Sequence, residues 1–154
     1  MKTNYLLPHK YKKLGWTLLS LGIISFIILG STQYEGGFFE IKVLSIFNYD
    51  YTNKTFFKII KDDIRNEVIS ILIIVGGLLV GFTKEKIEDE FIYKLRNDSL
   101  VWAFILNYTI LLITILFIYG GDFFEVMMYN IFTPLIFFII RFNFLKYKSR
   151  SHEE

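Results

Sequence analysis

The chain has 154 residues and a formal net charge of +2, with 53% of its residues hydrophobic and 19% aromatic. That length bounds it to one domain, 1–154, and so small a charge is too little to imply nucleic-acid binding, which is not expected. With no cysteine there is neither a disulfide framework nor a thiolate metal site.

The charged residues avoid four long apolar blocks, which is the pattern of a multi-pass membrane protein. Residues 1–13, MKTNYLLPHKYKK, are basic, with Lys10, Lys12 and Lys13 just before the first block. Leu14–Ser31 is longer than the roughly 7–15-residue core of a secretory signal, and no A-x-A-type cleavage site follows. A retained span over about 14–32 is therefore expected, with Tyr11 and Trp16 at headgroup level.

Residues 33–65 form the longest polar connection. Phe38–Phe47 alternates β-branched and aromatic residues with Glu40 and Lys42, predicting a strand, and Asn48–Lys54 reads as a turn. From Thr55, the four-residue spacing of Phe56, Ile60 and Ile64 predicts an amphipathic helix entering the second span. The strand belongs outside the hydrocarbon, because an open sheet edge cannot face lipid.

The second span is expected at 66–82. Val68–Phe82 alone covers roughly 22 Å, short of the ~30 Å hydrocarbon core, and 64–67 restore the length. Gly77 and Gly81 form a G-x-x-x-G spacing that Gly76 extends, a small face that lets another helix of this chain approach closely.

The central charged run, Lys84–Trp102, reads KEKIEDEFIYKLRNDSLVW. Ile87, Phe91 and Leu95 would lie on one helical stripe, and Lys84 with Glu88, Lys86 with Glu90 and Glu90 with Lys94 are opposite charges four apart. Two readings stay open. Either one long helix carries this run into the membrane, or Asp98 and Ser99 cap a fresh helix after a break. Both place an amphipathic segment, 83–98, directly against a span.

The third span, 99–119, extends roughly 31 Å. Gly120-Gly121-Asp122 makes a tight reversal into a fourth span, 123–140, followed by the basic tail RFNFLKYKSRSHEE. So short a turn makes these spans antiparallel neighbours. Asn107 can then reach Thr133 or Asn130, with hydroxyls of Tyr108, Thr109 and Tyr129 nearby, and Pro134 frees the Asn130 carbonyl in mid-span. These groups read as interhelical contacts worth roughly 0.6 kcal/mol each, or as the lining of a polar path. Glu125 falls at the outer rim and Arg141 at the inner rim, where a long cationic side chain snorkels.

Lysine and arginine set the orientation. The N-terminal segment, the 83–98 connection and the C-terminal tail carry four each, the 33–65 connection five, and the Gly120–Asp122 turn none. Four spans with both termini inside put 12 of 17 basic residues in the cytoplasm. The expected fold class is thus an all-α membrane protein with four transmembrane helices, N-in/C-in, whose extracytoplasmic loop holds a short strand and an amphipathic helix.

Groups for catalysis are sparse. His9 and His152 lie at opposite ends, and no H-E-x-x-H, P-loop or nucleophile-elbow motif occurs. Glu85, Glu88 and Asp89 could share a helix face and catch a divalent cation, but a charge-paired, solvated face explains them as well. No enzyme, cofactor or metal site is expected.

Four strings together resemble a recurrent, uncharacterised family of small membrane proteins of Bacteroidota: PHKYKKLGW, GLLVGFTKEKIEDEFIYKLRNDSLVWA, NYTILLITILFIYG and VMMYNIFTPLIFFIIRF. The resemblance covers nearly the whole chain apart from 33–65, and its central string is the specific part. It implies a four-span protein of the bacterial inner membrane, often encoded beside a helix-turn-helix regulator, and brings no site residues with it. The expected function is a non-enzymatic regulatory or adaptor component. Beyond the lipid bilayer, its partner would be a cytoplasmic protein docked through Glu85, Glu88, Asp89, Glu90, Lys94 and Arg96. The alternative is a small homo-oligomeric channel or transporter, with Asn107, Tyr108, Tyr129, Asn130 and Thr133 between spans three and four.

Overall fold

A computed structural model describes residues 6–31, 40–49 and 54–150. In chain order these form α1 (Tyr11–Ser31), β1 (Glu40–Tyr49), β2 (Lys54–Asp63), α2 (Arg65–Gly81), α3 (Glu90–Phe117), α4 (Gly121–Asn130) and α5 (Thr133–Arg150). The protein is mostly helical, not all-α, because 33–65 holds a two-stranded antiparallel hairpin.

The hairpin replaces the amphipathic helix expected from Thr55. Its register runs from Glu40↔Asp63 to Tyr49↔Lys54. A spacing of four fits both a helix and the two-residue period of a strand, and Thr55, Ile59 and Ile60 are β-branched, which favours the strand. The expected strand is β1, although Phe38, Phe39 and the turn residues 50–53 lie outside the described residues. Beyond β2, Asp63 accepts from the Arg65 backbone N–H at 3.1 Å and pairs with its guanidinium at 2.6 Å. That hydrogen-bonded partner holds the Asp63 carboxyl below its ordinary value.

α1 and α2 pack along each other as an antiparallel pair joined by glycines. A Cβ at Gly76 would lie 2.4 Å from the Leu19 nitrogen, one at Gly22 3.0 Å from the Ile73 nitrogen, and one at Gly15 2.9 Å from the Val80 nitrogen. Gly77 and Gly81 face α5 instead, against Leu135 and Phe138. The small face foreseen in the second span thus receives helices of the same chain on two sides. Around it lies the core, built from Leu19, Ile69, Ile73, Val80, Ala103, Phe138, Ile139 and Phe142.

α3 is continuous through Asp98 and Ser99. The Ser99 hydroxyl donates back to the Leu95 carbonyl at 2.7 Å instead of capping a new helix. The helix starts at Glu90, so 84–89 are not helical and the run is not one helix from Lys84 either. Asp89 stops it, its carboxylate accepting from the Ile92 N–H at 2.8 Å. At the other end Gly120, with φ 75°, supplies the left-handed turn into α4.

The expected fourth span is two helices, α4 and α5, bent by 41° at residues 131–132. Pro134 therefore sits in the first turn of α5, where its missing N–H costs nothing. α5 continues to Arg150, so most of the expected tail is helix packed along α3. α1 over Tyr11–Leu29 and α3 are each long and apolar enough to cross a membrane, and the bent pair adds a third if it acts as one span. Their outward faces are apolar: Ile27 is 62% exposed and Leu112 63%. Contiguous exposure of that kind suits lipid and not water.

Candidate functional site

The most elaborate constellation is where the N-terminal segment, residues 82–89 and α5 meet. α2 ends at Gly81 and the chain runs on extended. The Leu7 N–H donates to the Phe82 carbonyl and the Lys84 N–H to the Leu7 carbonyl, each at 2.9 Å, forming a parallel bridge between Leu7 and Thr83. His9 adds a third bond, donating from Nδ1 to the Lys84 carbonyl at 2.8 Å.

Glu85 follows and is buried. Its Oε1 takes both Lys12, from α1, and Lys146, from α5, the latter at 2.9 Å. Burial alone would raise this carboxyl, but the two ammoniums outweigh burial and hold it below its ordinary value. The Glu85 N–H donates to Glu88 Oε2 at 2.8 Å. Glu88 in turn grips Arg96 with both oxygens, at 2.5 and 3.1 Å, the planar fork that guanidinium and carboxylate form best. Arg96 is only 2% exposed although it is charged.

Phe142 lies at the centre of this arrangement. The Lys12 and Lys146 ammoniums and the Arg96 guanidinium stand 5.9, 5.6 and 5.1 Å from its ring centroid. The negative face of one buried ring thereby helps hold three cations that two carboxylates do not fully neutralise. Phe138 stacks on Phe142 at 6.1 Å and touches Phe82 at 5.6 Å, tying the joint into the core.

This changes the role of the expected docking residues. Glu85, Glu88 and Arg96 turn inward and bind each other or α1 and α5, and Asp89 is a helix cap. Glu90 and Lys94 remain exposed on α3, beside Ile87 at 72% and Phe91 at 53% exposure. The non-helical path of 84–89 also removes the shared carboxylate face considered for a divalent cation. Among the described residues, no group of three or more His, Asp or Glu could hold a metal.

The polar residues expected inside the spans divide as well. Asn107, buried on α3, and Asn130, at the end of α4, exchange reciprocal amide bonds at 3.2 and 3.3 Å. Thr133 instead donates to the Tyr129 carbonyl at 3.1 Å, easing the break between α4 and α5. Tyr108 faces outward and stacks on Phe104, and Tyr129 meets Phe26 edge-on at 5.6 Å. Arg141 does not simply reach for water, since its guanidinium lies 4.4 Å from the centroid of Trp102.

Two clefts flank these features. One of about 380 Å³ lies between α1, α2 and α4, apolar along Phe26, Leu29 and Phe132, with Asn66, Ser70, Glu125 and Tyr129 as its polar groups. The other, about 280 Å³, opens beside the Glu85 joint. Comparison with family models, curated proteins and solved structures gives no match for this chain.

Proposed function

We propose that this protein is a non-enzymatic regulatory or adaptor component of a bacterial inner membrane, spanning it four times with both termini in the cytoplasm. α1 and α3 support that topology. The bridge between Leu7 and Thr83 joins the start of α1 to the stretch before α3, so both helices leave from one level. Two crossings that begin on one side need a return path between them, and α2, at roughly 25 Å, is the segment available. The bent α4–α5 pair then returns Lys146 to Glu85. The end that holds Lys12, Lys84, Lys86, Arg96 and Lys146 is the basic one, in keeping with a cytoplasmic side. The inner-membrane assignment itself follows from the resemblance to the Bacteroidota proteins.

The observation that carries the docking reading is the exposure of Ile87 and Phe91 on a segment fixed by ion pairs on either side. A rigid apolar pair on either side of Glu90 is suited to a soluble partner, because little ordering is needed on binding. The test is a mild-detergent pull-down of tagged protein from its own cells. Phe91→Ser with Glu90→Gln should release a co-purifying cytoplasmic protein while membrane insertion persists. Unchanged recovery of that protein by the variant would rule out this surface. A conducting path through Asn107 and Asn130 has less support, since each amide satisfies the other.

A further inference from the structure

The cleft beside Glu85 has a composition that its internal pairs do not use up. Its walls carry Lys12, Lys13, Lys86 and Lys146, with Glu85 as the one carboxylate and His9 and Trp16 completing the lining. Glu85 already accepts from both Lys12 and Lys146, so four lysines face one occupied acid. Lys13 and Lys86 are exposed at its mouth. Trp16, 43% exposed near the start of α1, marks the depth at which an indole rests between headgroups and hydrocarbon.

We propose that this cleft binds a phosphate ester, as the headgroup of an anionic phospholipid or as a free phosphomonoester. Lys12 and Lys146 are held in place by Glu85 and the Phe142 ring, so two ammoniums are oriented before any ligand arrives. Lys13 and Lys86 approach from the two sides of the mouth, one on α1 and one on the loop before α3. An anion seated there would offset the surplus positive charge of the joint. Basic pockets of this kind between membrane helices are established binding places for anionic headgroups. The inference is independent of the docking surface: Lys13 and Lys86 line this cleft, whereas Phe91 and Glu90 stand outside it.

The full chain, purified in neutral detergent, is mixed with phosphatidylglycerol or phosphatidylcholine, and retained lipid is read by native mass spectrometry. Phosphatidylglycerol should be retained in preference. Lys13→Gln and Lys86→Gln should each lower that retention about fivefold, from the typical strength of one lysine at an anionic membrane surface. Lys10→Gln, in the same segment but not lining the cleft, should leave it unchanged. Titration with glycerol phosphate distinguishes the source. Displacement of the lipid identifies a free phosphoester as a competent ligand, and persistence identifies the lipid. Equal retention of both lipids with no binding of glycerol phosphate would overturn the proposal, as would an equal loss in Lys10→Gln.

Discussion

The α1–α2 seam and the α3–α5 side of the bundle hold together by opposite means. Along α1 and α2 the contact is backbone against backbone, permitted by Gly15, Gly22 and Gly76. On the other side the contacts are polar and aromatic: Asn107 with Asn130, Arg96 with Phe142, Arg141 with Trp102. In lipid, apolar side chains gain nothing by leaving one another's company for that of acyl chains, so helix pairing needs either close shape or polar partners. This chain uses shape where glycines let two backbones meet, and polar or cation–ring contacts along α3, α4 and α5.

That contrast can be broken most severely at Glu85. Glu85→Ala leaves the buried Lys12 and the half-buried Lys146 with no carboxylate between them, and should cost about 3–5 kcal/mol of stability, read by thermal unfolding in detergent. The effect depends on pH with a defined sign. Because the folded protein holds the Glu85 carboxyl below its ordinary value, its stabilisation is complete above the ordinary carboxylate range. It is lost as pH falls through the folded value. The gap between wild type and Glu85→Gln should therefore close in acid and stay constant around neutrality.

A smaller loss is expected from Gly76→Ala. Its methyl group would meet the Leu19 backbone, which cannot swing aside as a side chain could, and about 1–3 kcal/mol of overpacking should result. Gly77→Ala meets the side chains of Leu135 and Ile139 rather than backbone and should be milder in the same unfolding assay. If Gly77→Ala proved the more damaging, the seam would lie with α5 and not α1. Smallest of all, Asn107→Leu should cost roughly 0.6 kcal/mol for each amide bond lost, the average for polar contacts between membrane helices.

The apolar blocks, the glycine face, the reversal at Gly120 and the contact of Asn107 with Asn130 were legible in the sequence, because each follows from local spacing or from a short turn. What sequence could not supply was the joint. Lys12 and Glu85 are 73 positions apart and Glu85 and Lys146 are 61 apart, and no periodicity links such residues. The central acids read as a solvated face because charge spacing on a supposed helix implies exposure. The helix begins only at Glu90, and that short unwound stretch lets Glu85 and Glu88 turn inward. The second strand is hidden for a different reason: Phe56, Ile60 and Ile64 satisfy two periods at once.

The two lysines on Glu85 also reach it at different times in the life of the chain. Lys12 is synthesised before the carboxylate it meets, so that pair can close as soon as α1 and α2 are together. Lys146, 61 positions beyond Glu85, is made only after α3 and α4. Until then Glu85 has one ammonium, α5 has not yet covered Gly77 and Gly81, and the bundle is half-closed. The second ion pair therefore closes only once α5 has been made, and a chain cut short before α5 would carry its α1–α2 pair without that closure.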